Sequence, residues 1–388
     1  MSNLERPQRR NLTIISVGSS IRTFGTGATW IFTSIILYKY FQVPLVIIGI
    51  LFGINAIIGG LSQIYGGFLG DRYGLKRTII IFSGFATLGY LSQLISVSLI
   101  RNGIFFASAF VATNILVSLY QPSSNAILAL SSKNTLGSFS YLRILTNLGW
   151  AIGPAAGGFL IDYYGFSAIY YISFGTSLFA FIMYLFIVNV KQENVMKKAE
   201  LIFNDKIMIS YGLGVLFLFI LISQFSVTLS IYASVFVSLN YSSIGFIYLT
   251  NGLVVVLFQW PVYLTIRKIG MWRGILLGNT LYIAGYFSMG FDRNITSFIA
   301  SMFIVTMGEN FATPTANTIT SIIAKKGRMA SYMGAFNFFS SIGRSIGPTF
   351  GSGILSIIKN NELLWGILVT PGFVSMGIFN FLKRKIKA

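Results

Sequence analysis

Gly67-Phe68-Leu69-Gly70-Asp71-Arg72-Tyr73-Gly74-Leu75-Lys76-Arg77 joins two long apolar stretches, near 45–69 and 78–100. Its residue types have physical reasons. Gly74 permits a tight turn, because glycine takes a positive φ without a β-carbon clash. Gly67, lacking a side chain, predicts close approach of a neighbouring helix. Asp71, at a helix end, is placed to face the positive N-terminus of another helix. Arg72, Lys76 and Arg77 mark the loop as cytoplasmic, since basic residues collect on that side of a membrane.

The apolar flanks recur along the chain. Of 388 residues, 54% are hydrophobic and only 10% charged, and the mean hydropathy is +0.75. A soluble domain carries roughly 25% charged residues, so lipid is the solvent for most of this surface. A spanning helix needs ~20 apolar residues. Apolar stretches run near 12–38, 45–69, 78–100, 104–130, 139–161, 167–190, 207–237, 244–266, 274–290, 296–322, 331–357 and 363–382. They predict an all-α membrane protein of about twelve spanning helices, with no large soluble domain. The first stretch is too long for a signal-peptide core and reads as a retained helix.

Net charge is +19, from 28 Lys and Arg against 9 Asp and Glu. Twenty-one of the bases fall at the two termini and in the even-numbered connections, including Lys133, Lys206, Arg267, Arg273, Lys325 and Arg384. Lys39, Arg101, Arg293 and Lys359 fall on the other side, and Arg22, Arg143 and Arg344 lie inside spans. That asymmetry predicts both termini in the cytoplasm and an even number of spans. It also accounts for the positive charge without nucleic acid. The chain has no Cys and no His, which excludes thiol chemistry, Cys/His zinc sites and histidine proton switches. Neither a metal cluster nor a nucleophile system suggests an enzyme, and no cofactor is implied.

An internal repeat is visible. A shift of 196 positions aligns Gly49 with Gly245, Asn55 with Asn251, Gln63 with Gln259, Gly74 with Gly270, Arg77 with Arg273 and Tyr90 with Tyr286. At a shift of 192, Pro122 meets Pro314 and Asn125 meets Asn317. Gly153-Pro154 resembles Gly347-Pro348. The polar run Lys191–Lys206 sits at mid-chain, so the expected organisation is an N-terminal six-helix bundle (1–190), a cytoplasmic linker (191–206) and a C-terminal six-helix bundle (207–388). Two parallel repeats imply pseudo-two-fold symmetry and a central site between rocking halves.

The 67–77 loop resembles the signature loop of the major facilitator superfamily, G-x-x-x-D-R-x-G-x-[KR]-[KR], at every signature position. Its second copy is degenerate, with Arg267 where Asp71 stands. The fifth stretch contains Gly149-Trp150-Ala151-Ile152-Gly153-Pro154-Ala155-Ala156-Gly157-Gly158, which resembles the G-x-x-x-G-P-x-x-G-G motif of the drug:proton antiporter branch. Gly149, Gly153 and Gly157 recur every four residues and predict a flat stripe for helix packing. Packing against the other half is expected there, with a kink at Pro154. Gly343, Gly347 and Gly351 make a looser copy. The resemblance implies a secondary active transporter working by alternating access in the plasma membrane, acting as a monomer on a small-molecule substrate. It also implies a gating latch of Gly67, Gly70, Asp71, Arg72, Gly74, Lys76 and Arg77, joined by Arg143 near the cytoplasmic end of the fifth helix.

Charged residues inside a membrane are functional candidates. Glu309 is the one acid near the middle of a span, Arg344 lies near the middle of the eleventh stretch and Arg22 inside the first. In the resembled fold all three helices line the cavity. Desolvation would favour a neutral, proton-carrying Glu309, whereas permanent pairing with Arg344 would make it structural. Asn55 and Asn251, at one repeat position, are further candidates for the coupling or substrate site; Gln224 adds a polar group. Trp30, Tyr120, Trp150 and Tyr232 are placed either to stack on a flat substrate or to face lipid. Asp162, in an Asp-Tyr-Tyr-Gly turn, reads as structural. Protons are the expected coupling ion. The expectation is proton-coupled efflux of small amphipathic compounds; the alternative is uptake symport of an organic anion, since Arg22 and Arg344 outnumber Glu309.

Overall fold

A computed structural model describes residues 6–131, 135–189, 205–325 and 329–385. The mid-chain linker lies outside the described residues except for Asp205 and Lys206, and so do Lys133, Lys326 and Arg328. Every apolar stretch is helical. In chain order the helices are α1 (Arg6–Ile35), α2 (Leu45–Tyr73), α3 (Leu75–Ile95), α4 (Gly103–Leu130), α5 (Thr135–Tyr164) and α6 (Ser167–Leu185). The second half has α7 (Lys206–Ile222), α8 (Tyr241–Ile269), α9 (Met271–Ser288), α10 (Ile295–Ile323), α11 (Met329–Ile357) and α12, which is broken into Asn361–Leu368 and Thr370–Lys385. Among the described residues, nine helices are long and apolar enough to cross a membrane. Outward-facing Ile64, Ile104 and Ile357 are at least 73% exposed, a surface that suits hydrocarbon rather than water.

The repeat is written into the backbone as well as the residue types. α1 ends in a five-residue π turn at Ile36–Tyr40, and α7 reaches one at Tyr232–Phe236, 196 positions on. The left-handed residues Gln42 (φ 54) and Ser238 (φ 58) follow at the same offset, as do Gly74 (φ 96) and Gly270 (φ 86). At the latter pair one residue separates two helices, and only glycine reaches that φ cheaply. The offset drops to 192 between the starts of α4 and α10. Here α3 carries a π turn, Ser96–Ile100, while α9 closes in a shorter 3-10 turn, Met289–Phe291.

Two compact units emerge. Unit one comprises Met1–Val43, Ile57–Val195 and Asn240–Leu249; unit two comprises Pro44–Ala56, Met196–Leu239 and Thr250–Ala388. Each takes the first turns of one helix from the other sequence half, which the boundaries expected at 190 and 207 do not anticipate. The cause is close crossing at glycines. In unit two, Ser345 Oγ donates to the Gly53 carbonyl at 2.8 Å, and a β-carbon on Gly49 would lie 2.6 Å from the Pro348 carbonyl oxygen. In unit one, a β-carbon on Gly245 would lie 2.4 Å from the Pro154 carbonyl oxygen. Asp162 there accepts from the Tyr241 and Ser242 amides at 3.1 and 2.7 Å and from Ser242 Oγ at 2.6 Å. It thereby caps α8, in keeping with a structural role.

The glycine stripes give each bundle a tight seam. β-carbons on Gly149, Gly153 and Gly157 would stand 2.6, 2.6 and 2.4 Å from carbonyl oxygens of Ser20, Phe24 and Ala28 on α1. The expected partner in the other half is therefore replaced by α1, within unit one. Gly158, a step off that face, is the residue that meets Tyr241. In unit two, Gly343 sits against the Leu216 carbonyl, and Gly347 and Gly351 sit against Ser223 and Thr228. α7 is interrupted at this seam by a 3-10 turn, Ser223–Phe225. Gln224 repairs the break: its Nε2 donates to the carbonyls of Ile220 and Gly347 at 2.8 and 3.1 Å, and Thr228 donates to its Oε1 at 2.6 Å. Its polarity is thus spent on structure. Tyr232 is likewise enclosed, its ring 5.4 Å from Trp365 and 6.1 Å from Phe298, which removes it from the residues available to stack on a substrate.

Candidate substrate and coupling site

Two polar clusters sit inside the helical mass, one per unit. In unit two, α8 supplies Asn251 and α10 supplies Thr306 and Glu309, one helical turn apart on a single face. Asn251 Nδ2 donates to Thr306 Oγ1 at 3.1 Å and to Glu309 Oε2 at 2.9 Å. Asn310, the next residue, donates to the Val254 carbonyl at 3.3 Å and ties the same two helices together. Arg344, on α11, lies 4.6 Å above the Phe219 ring. Glu309 and the buried Tyr282 hydroxyl of α9 are both within its electrostatic reach. Asn55 also falls in unit two; it is buried, and its Oδ1 finds no partner.

The arrangement places a carboxylate, an amide donor and a guanidinium on three helices of unit two. Thr306 and Asn310 are site residues that the sequence reading missed. Thr306 stands one helical turn before Glu309, and that spacing was its available signal; Asn310 directly follows Glu309.

In unit one, Arg22 of α1 is half-buried among tyrosines from three other helices. Its guanidinium carbon lies 5.9 Å from the Tyr120 ring centroid. Tyr184 and Tyr90 pair with Ser19 and Thr26, hydroxyls on the turns either side of Arg22, at 3.2 and 3.0 Å. Tyr90 and Tyr184 were not singled out from the sequence, although Tyr90 is one of the identities that define the repeat. Trp30 packs on Phe110 at 5.6 Å, and Trp150 is half-buried.

Of the residues expected to form a latch, those from Gly67 to Arg77 lie at the junction of α2 and α3. Asp71, Arg72 and Arg77 are exposed, Lys76 is half-buried, and Arg143 is exposed on α5. The expected close approach at Gly67 is not made there: a β-carbon on Gly67 would meet nothing within 4 Å. Its neighbour Gly66 makes the approach instead: a β-carbon there would collide with the Leu119 carbonyl oxygen, and Gly70 sits against Ser123 Oγ. The cause is helix phase, since adjacent residues point about 100° apart.

Known proteins agree with this architecture. Residues 15–348 match the family described as Major Facilitator Superfamily. The MFS-type transporter YttB of Bacillus subtilis is 24% identical over 379 residues, spanning 93% of this chain and 92% of its own. A multi-drug resistance efflux pump PmrA homolog of Lactococcus lactis is 23% identical over 340 residues, spanning 82% and 80%. Among solved structures, the nucleoside transporter NupG superposes with a TM-score of 0.80 at 14% identity, over 97% of this chain and 100% of that one. A POT family transporter in complex with a peptide conjugate gives 0.77 at 18%, over 97% and 96%. With the family matched across most of its length and its helices arranged as in these transporters, the chain is a multi-pass membrane protein belonging to the Major Facilitator Superfamily.

Proposed function

We propose that this transporter is a proton-coupled exporter of small amphipathic compounds, working by alternating access in the plasma membrane as a monomer with both termini in the cytoplasm. The observation that carries the reading is Glu309, held by Asn251 at 2.9 Å with Arg344 in its field. A proton carrier needs a carboxylate where charge is costly, plus a cation that nears it in one access state and withdraws in the other. A relative named a multi-drug resistance efflux pump homolog and another named a multidrug resistance protein support the export direction. The 67–77 loop would serve as the latch of the access change.

The test uses proteoliposomes with an imposed pH gradient and a panel of fluorescent cationic, neutral and anionic aromatic compounds. Glu309→Gln keeps the side-chain shape but releases no proton. Uphill accumulation driven by the gradient should vanish in this variant, while exchange of substrate across the membrane persists. Uphill transport by Glu309→Gln with the pH gradient as its sole energy source would sink the assignment. The opposite direction, uptake of an organic anion, has one observation in its favour: Arg22 has tyrosines but no carboxylate in its field among the described residues. The orientation of the gradient that drives the flux decides between them.

A further inference from the structure

We infer that Arg22 and its tyrosines form a receptor for the carboxylate of a small aromatic acid, so that the transported compounds are amphipathic organic anions. This rests on the reading of the chain as a transporter of small amphipathic compounds, whichever way it carries them. Arg22 and Arg344, both inside spans, differ in a way that matters. Arg344 has Glu309 in its field. Arg22 has only the phenols of Tyr120, Tyr184 and Tyr90, and among the described residues no carboxylate balances it. Its Nε is buried and donates to nothing. Arginine carries five N–H donors and stays charged, and a charge at this depth needs a partner. Among the described residues no carboxylate supplies one, whereas a ligand anion would.

The surroundings define that ligand. Ser19 and Thr26 flank Arg22 on α1 and engage the hydroxyls of Tyr184 and Tyr90. They tie the two phenols to the turns before and after Arg22, and a neutral phenol does not balance the guanidinium's charge. The guanidinium fork matches the two oxygens of a carboxylate. Tyr120 packs its buried ring 5.9 Å from the same cation and so gives the charge an aromatic wall rather than an open stacking face. Because Arg22 is half-buried, part of the side chain remains within reach of a ligand.

Tritiated 1-naphthoate is the probe, with the full chain purified into nanodiscs. Its neutral and cationic relatives, 1-naphthamide and 1-naphthylmethylamine, serve as competitors. Unlabelled naphthoate should displace the label, and neither relative should do so at tenfold higher concentration. Arg22→Gln should weaken naphthoate binding by roughly 30-fold or more, the range found when one partner of a buried charge pair is removed. Arg22→Lys keeps the charge and loses the fork; it should bind with intermediate affinity, and it preserves the test if the glutamine variant fails to fold. Three results would each overturn the receptor: no binding of naphthoate, equal competition by all three compounds, or unaltered binding by a folded Arg22→Gln or Arg22→Lys variant. Binding of naphthoate without pH-driven flux would instead sink the exporter reading and leave the receptor standing. pH-driven flux of the amine alone would do the reverse.

Discussion

Asp205, the residue before α7, accepts the Ile207 and Met208 amides at 3.0 and 3.3 Å, a helix cap at the start of the second half. Its other oxygen takes the Tyr332 hydroxyl and lies 3.1 Å from Lys325 Nζ. One carboxylate therefore joins α7, α11 and the end of α10. The Tyr332 hydrogen bond, then Lys325 and the two amides, draw it down from the ordinary carboxylate range to about 2. A lowered native value means stability that is present above the unfolded value, near 4, and lost as pH falls toward about 2. Asp205→Asn keeps a capping side chain without the charge. The melting temperature of the parent should exceed that of the variant at pH 6, and the gap should narrow steadily as pH falls from about 4 toward about 2; a gap independent of pH would show that Asp205 acts only as a cap. From the sequence, Asp205 was one charge in a polar run, because its partners stand more than a hundred positions away. Glu309 was legible by contrast, since an acid in the middle of an apolar span needs no partner to be noticed. Its tie to Asn251 was half legible: the repeat marked Asn251, but not the face of α10 it meets.

Helix seams were legible in periodicity and silent on partners. Gly149, Gly153 and Gly157 announce a smooth face, yet nothing in their spacing says that α1 covers it. The distances lead to a paired test. A β-carbon on Gly153 would meet the Phe24 carbonyl oxygen at 2.6 Å and the Ala28 nitrogen at 2.9 Å, backbone atoms that yield only if two helices part. Gly153→Ala should cost about 1–3 kcal/mol, the usual range for overpacking, and lower the melting temperature. Gly67 has open space where its β-carbon would go. Gly67→Ala should leave the melting temperature unchanged or raise it slightly, because alanine favours a helix by about 0.5–1 kcal/mol over glycine. Equal losses for the two variants would contradict these seams. Loss of transport in a fully stable Gly67→Ala would show that its empty space is used in another access state.

On the scale of the whole molecule, composition and apolar spacing gave the all-α membrane architecture, and the expected stretches 45–69 and 331–357 became Leu45–Tyr73 and Met329–Ile357. The assignment of the first turns of α2 and α8 to the opposite units was not legible, because it depends on which glycine faces which carbonyl across the fold. The latch belongs to this scale too. Asp71→Asn should cut transport at least tenfold while leaving membrane insertion and melting temperature unchanged, since Asp71 is exposed and at a helix end; normal flux in proteoliposomes would remove it from the access change. The paired turns at Ile36–Tyr40 and Tyr232–Phe236, with left-handed Gln42 and Ser238 behind them, also carry a record of descent. From those turns to Tyr90 and Tyr286 the two halves keep equal length residue for residue, and the first change in offset coincides with the π turn Ser96–Ile100 that α9 lacks. The residue types have diverged at most positions, yet no net insertion or deletion separates the two copies in that stretch. The connections α1–α2 and α2–α3 preserve the dimensions of the half-sized ancestor whose duplication made this chain.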